Sequence, residues 1–134
     1  MVATMLLILL ILCSRSAGGC DCIIPGPSWA RQSAEVVFTG KVVSVSEDNG
    51  TAVLEVYSTW KGVSPWKNRI EIRMAFLTCL YELKLDQEYL LYADKREDQR
   101  LVTDMCYPNR LLAEAEKDLR ELGRPRWRWR HHRQ

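Results

Sequence analysis

Histidine is nearly absent from this chain: both residues of that type, His131 and His132, lie among the last four positions. That scarcity removes the Ser/His/Asp and Cys/His arrangements on which nucleophilic catalysis depends, and also the two-histidine helical motif of zinc proteases. There is no glycine-rich phosphate loop, and the carboxylates are scattered over segments that read as loops and solvent faces. Catalysis is therefore not expected. No apolar run reaches the roughly 20 residues that a bilayer-spanning helix needs. The longest, residues 2–13, gives way to the small and polar Ser14-Arg15-Ser16-Ala17-Gly18-Gly19. Although no basic residue precedes the apolar core, Ala17 and Gly19 stand where a signal peptidase requires small side chains, so residues 1–19 read as a signal peptide cut before Cys20. The expected location is secreted and extracellular, and 115 residues remain, enough for one domain with a modest core.

Cysteine is sparse but placed informatively. Cys13 leaves with the leader, and Cys20, Cys22, Cys79 and Cys106 form an even set suited to disulfides in an oxidising compartment. Cys20 and Cys22 are too close to bridge comfortably with each other, so each is expected to reach one of the two distant cysteines, with the pairing left open. A tetrathiolate zinc site is a poor alternative, because such sites favour paired C-x2-C knuckles in reducing compartments. Cleavage before Cys20 would leave a free α-amino group on a cysteine.

Acid is missing from the C-terminus. Residues 20–123 carry 13 Lys and Arg against 17 Asp and Glu, whereas residues 124–134 hold five Arg and no acid, so the overall charge of +2 is positive only because of the tail. Arg124, Arg126, Trp127, Arg128, Trp129 and Arg130 interleave guanidinium groups with indoles, a pattern that can grip a glycosaminoglycan or an anionic membrane by ion pairing and stacking. Nucleic acid fits a secreted chain least well. The plainer reading is a disordered, solvated basic tail over 124–134.

Between these ends the pattern is mainly β. Pro25-Gly26-Pro27 breaks the chain, and Ser28 is read as the cap of a short helix over 29–34. Residues 36–45 read as a long strand with a bend at Gly40. Asn49-Gly50 marks a hairpin turn and residues 52–60 the returning strand. Residues 69–74 alternate charged and apolar side chains, 89–93 form a continuous apolar run, and 100–103 make a fifth strand. Asn109 is read as the cap of a helix with Leu111, Leu112, Ala115, Leu119 and Leu122 on its buried face, Glu114, Glu116, Lys117 and Asp118 on its solvated side, and Gly123 as its stop. Five strands and a terminal helix suggest a small OB-type barrel, although spacing alone would also describe a sandwich. Asn49-Gly50-Thr51 is a sequon for N-glycosylation at Asn49.

Cys20-x-Cys22, Val37-Phe38-Thr39-Gly40, Trp60-Lys61-Gly62, Cys79 with Tyr81, Glu88-Tyr89-Leu90-Leu91-Tyr92-Ala93, and Leu101-Val102-Thr103-x-x-Cys106 before an amphipathic helix occur in this order. Together they resemble the N-terminal netrin-like (NTR) domain of the tissue inhibitor of metalloproteinases family, over nearly all of residues 20–123. The resemblance implies a five-stranded OB-fold barrel with a short N-terminal helix and a C-terminal amphipathic helix, and disulfides joining Cys20 to Cys79 and Cys22 to Cys106. It also implies a monomeric inhibitor without a cofactor of its own. The Cys20 amine and carbonyl would chelate the zinc of a secreted or membrane-bound partner protease. Asp21, Cys22 and Ile23 would enter its cleft, and Phe76, Leu77 and Thr78 would flank them. The family usually has a small neutral or hydroxylated residue where this chain has Asp21, a histidine and a third cysteine near the segment 22–27, and a six-cysteine subdomain after the barrel. The competing expectation is a non-inhibitory extracellular module that binds matrix or glycosaminoglycan.

Overall fold

A computed structural model describes residues 20–74 and 79–129. The chain enters through an irregular stretch at 20–26 and a short helix, α1 (Pro27–Ser33), with Pro27 in the first turn, where its missing N–H costs nothing. The helix does not use Ser28 as its cap: Gly26 occupies that position, and the Ser28 hydroxyl donates to Glu121 Oε1 at 3.2 Å.

Five strands then close a barrel. β1 (Val36–Val45), β2 (Thr51–Lys61), β3 (Arg69–Met74), β4 (Glu88–Lys95) and β5 (Leu101–Thr103) follow in the chain. In space the order is β1-β2-β3-β5-β4, with β4 returning to β1. All barrel pairings are antiparallel except β3 with β5. The chain is thus mainly β with an OB-like closed barrel. Closure leaves no long free edge among these strands. The bend expected at Gly40 is a register shift between Thr39 and Gly40 in the β1–β2 ladder. A Cβ at Gly40 would stand 2.5 Å from the Glu55 carbonyl oxygen, so only glycine lets the two strands approach there.

Two apolar layers explain the sequence patterns. Phe38, Val42, Leu54, Val56, Ile72 and Leu91 fill the barrel, while Ala30, Val37, Trp60, Leu90, Tyr92 and Leu122 form a second layer under the helices. β4 contributes to both layers, which is why residues 89–93 are a continuous apolar run rather than an alternating one. Each buried Val, Leu, Ile or Phe among them contributes about 1.5–3 kcal/mol by leaving water.

The C-terminal region departs from the expected single helix. Residues 110–111 form a two-residue strand, β6 (Arg110–Leu111), paired with β4 at Tyr89 and Leu90. A 3₁₀ turn (Leu112–Glu114) follows, and α2 is confined to Glu116–Leu122 with Gly123 at its C-cap. Asn109 is not a helix cap, and Asp118 is not on the solvated side: its carboxylate is buried and accepts from Arg110 Nε at 2.8 Å.

The beginning of the basic tail is ordered rather than disordered. Trp127 and Arg128 form β7 (Trp127–Arg128), which pairs antiparallel with β2 at Thr59 and Ser58. The Arg126 amide donates to the Thr59 carbonyl at 2.7 Å and the Trp129 amide to the Tyr57 carbonyl at 2.9 Å. The physical reason lies in β2: β3 covers its first half, from Thr51 to Glu55, and leaves polar backbone at 57–59 for another strand to satisfy. Trp129 packs against the barrel core.

Candidate functional site

Cys20 and Cys22 are two residues apart in the chain, and their side chains are joined to two different, neighbouring loops of the barrel. Cys20 is bridged to Cys79 and Cys22 to Cys106, with Cα atoms 5.1 and 5.7 Å apart respectively. The bridges lie side by side, with Cys20 Sγ 3.3 Å from Cys106 Sγ. The receiving loops are themselves tied together, since the Met105 amide donates to the Cys79 carbonyl at 3.0 Å. The four cysteines thus make one block, and the segment that enters it cannot swing away from the barrel without breaking a covalent bond.

Asn109 supports this block from inside. Its Oδ1 accepts from the Tyr92 amide at 2.9 Å, and its Nδ2 donates to Thr103 Oγ1 at 2.8 Å and to the Asp104 carbonyl at 2.9 Å. Thr103 Oγ1 donates to the Tyr92 carbonyl at 2.7 Å, and Asp104 Oδ1 accepts from the Cys106 amide at 2.8 Å. The turn carrying Cys106 is therefore fastened to β4 through a buried polar network. An asparagine one residue past a proline gives a local turn or cap signal, and nothing local shows that its partner is a backbone amide 17 residues earlier.

Around the block the surface is apolar where a soluble surface usually is not. Ile23 is 97% exposed and Ile24 55% exposed, with Leu80 and Met105, the neighbours of two of the cysteines, at 46% and 40%. Asp21, between the clamped cysteines, is exposed. Phe76, Leu77 and Thr78, expected to flank this edge, lie outside the described residues.

The chemistry open to this edge follows from its atoms. The sulfur atoms of Cys20, Cys22 and Cys106 fall within 4.8 Å of one another, but sulfur in a disulfide offers no thiolate. A metal ion at Cys20 would have to be taken by main-chain atoms. The amine and carbonyl of one N-terminal residue would close a five-membered N,O ring on a metal ion, and a free α-amino group with a pKa of about 7.7–8.0 gives up its proton near neutral pH at little cost.

The other predicted positions lie elsewhere. Asn49 is exposed in the β1–β2 turn with φ 54, a left-handed conformation that asparagine tolerates. The turn is held by Asp48, whose Oδ1 accepts from the Ser46 hydroxyl at 2.6 Å and the Gly50 amide at 3.0 Å; the hydroxyl contact first and the amide second hold its carboxyl below the usual value. Arg124, Arg126, Trp127 and Arg128 are exposed on the other stretch of interest, the β7 segment, and Arg130 lies outside the described residues. Among the described residues no helix is long and apolar enough to cross a membrane. No family model matches the chain, and no curated protein matches it.

Proposed function

We propose that this protein is a secreted inhibitor of zinc metalloproteinases that presents the Cys20 amine and carbonyl to the catalytic zinc of its partner. The observation that carries this reading is the double clamp: disulfides on residues 20 and 22 hold the three-residue edge Cys20-Asp21-Cys22 against loops that are hydrogen-bonded to each other. A pre-positioned terminus loses little conformational freedom on binding, so more of the contact energy appears as affinity. The chelate would occupy the position that a catalytic zinc keeps open for water, and zinc belongs to the protease, not to this chain. Ile23, Ile24, Leu80 and Met105 supply the exposed apolar contact area that a protease cleft can bury. A glycan on exposed Asn49 is part of this reading, and its presence is checked by a mass loss on enzymatic deglycosylation.

The test is direct. Intact mass of the secreted protein should place the terminus at Cys20. A variant with one alanine added before Cys20 should lose more than about 100-fold in inhibition of a responsive zinc metalloproteinase, because even an outer-shell partner of a metal ligand is worth 10–100-fold. Equal inhibition by both forms would remove the chelation mechanism. Absence of inhibition by the native form across a broad panel would remove the inhibitor reading.

A further inference from the structure

Two shallow clefts lie away from the clamped edge, and one loop contributes to both. The first has a volume of about 370 Å³ and is lined by Ser64, Pro65 and Trp66 of the loop after β2 and by Arg126 and Trp127 of the β7 segment. Trp66 is 84% exposed and Trp127 43% exposed, so two indoles stand open beside a guanidinium. Lys61 also lines this cleft, but its ammonium donates to the carbonyls of Arg31 and Gln32, so it contributes charge rather than a free donor. No acid lines it. The second cleft, about 200 Å³, begins at Lys67, the residue after Trp66, and is lined by Arg73 and Arg100 with Glu71 as the single acid. Arg100 also has a loose contact with Asp98 at 3.6 Å, both side chains being well exposed. Adjacent residues of one loop therefore line two clefts, each with a net excess of positive charge.

From this placement we infer that the two clefts form one binding track for a sulfated glycosaminoglycan, running from Arg126 and Trp127 over Trp66 to Lys67, Arg73 and Arg100. Sugar rings carry apolar C–H faces that stack on indole, and sulfate esters are acceptors for guanidinium and ammonium groups; a sulfated polysaccharide needs both in alternation along a line. The clefts are open, separate and only partly apolar, which suits an extended polyanion better than a lipid surface, for which a continuous apolar face would be needed. The β7 pairing matters because it fixes Arg126 and Trp127 on the barrel by main-chain hydrogen bonds, while both residues stay exposed to a ligand. The track would anchor the protein in a sulfated matrix without occupying residues 20–24, and it stands or falls independently of inhibition.

Binding of sulfated oligosaccharides of graded length to the full mature chain, read by tryptophan fluorescence and by salt elution from immobilised heparin, tests this. Arg126→Gln with Trp127→Ala, and separately Arg73→Gln with Arg100→Gln, should each weaken binding of a long oligosaccharide by about tenfold, the scale of removing two ion pairs or one ion pair with its stacking platform. Losses in the combined variant should multiply, and long chains should bind more tightly than short ones because two linked clefts act as a bivalent site. A charge-matched control, Lys117→Gln with Arg120→Gln on α2, should bind as the native protein, and far-ultraviolet circular dichroism of every variant guards against misfolding. Three results would each overturn the track: cleft variants that bind as tightly as the control, affinity that vanishes on deleting residues 130–134 alone, or tighter binding to anionic vesicles or single-stranded DNA than to heparin at equal salt. Equal binding of desulfated chains would overturn it as well.

Discussion

Asn109 joins three backbone stretches that are separate in the sequence: the middle of β4, the end of β5 and the turn that carries Cys106. Replacing it by alanine leaves the buried Tyr92 amide and Thr103 hydroxyl short of partners, and the cost should be about 2–3 kcal/mol in chemical denaturation. A loss under about 0.5 kcal/mol, the scale of an ordinary surface substitution, would mean that the network does not hold the turn. Tyr92 is the opposite case. Its ring is buried and stacks on Tyr107 at 6.0 Å, but its hydroxyl has no hydrogen-bond partner among the described residues. Tyr92→Phe should therefore leave stability unchanged or raise it by up to about 1 kcal/mol, since it removes an unpaid desolvation cost; a clear loss would show that the hydroxyl is satisfied in solution. At the edge proposed to meet a protease, exposed Asp21 offers a carboxylate that an apolar specificity pocket would have to bury unpaired. Asp21→Thr should strengthen inhibition of proteases with such pockets and weaken it where the pocket holds a basic residue, and equal potency of both forms on both kinds of enzyme would refute that role. Disulfide chemistry argues against a bridge between Cys20 and Cys22 but leaves their partners open, and the pairing present in the structure is the one that the family resemblance implies. The role of Asn109 was not legible in the sequence, because a cap signal is local and its actual partners are set by how β4 and β5 meet.

The strands of the barrel were the most legible elements. β1 and β3 coincide with the stretches read from β-branched runs and strict alternation, since pleated pairing and one-sided burial imprint a period of two. The C-terminal region was read less well. A stripe of leucines fits one helix, yet Leu111 pairs with β4 and the helix proper starts at Glu116, so tertiary pairing overrode the helical period for the first turn. The basic tail misled for a related reason: arginine-rich composition suggests solvation, but β2 extends past β3 and offers backbone that Arg126 and Trp129 satisfy. Deleting residues 124–134 should cost about 1–3 kcal/mol, from Trp129 packing and the lost strand pairing. It should also uncover the β2 edge and promote self-association, visible by light scattering. A truncated protein as stable and as monodisperse as the native one would mean that β7 contributes nothing in solution.

For the whole molecule, tyrosine burial adds a loss of stability at alkaline pH. Burial, followed by Glu88 for Tyr57 and by Tyr89 for Tyr81, pushes both hydroxyls up to about 12. Tyr92 is raised further by burial and then by Asp118, and Tyr107 by burial and then by the hydrogen bond it donates to Asp94 Oδ2 at 2.5 Å. A raised folded-state pKa favours the neutral form in the native protein. Stability from these groups is therefore complete below the unfolded value of about 10 and declines as pH rises through the native values. The melting temperature should stay level up to about pH 9 and fall between about pH 10 and 12, with tyrosinate absorbance lagging that of the unfolded chain. Coincident titration of folded and unfolded protein would contradict this. The cysteine pairing adds a condition in time. Cys20 and Cys22 are separated from their partners by 59 and 84 residues, so during synthesis neither bridge can close until most of the barrel has left the ribosome. Residues 20–22 are thus locked only late, and a chain interrupted before Cys106 leaves Cys22 without its partner.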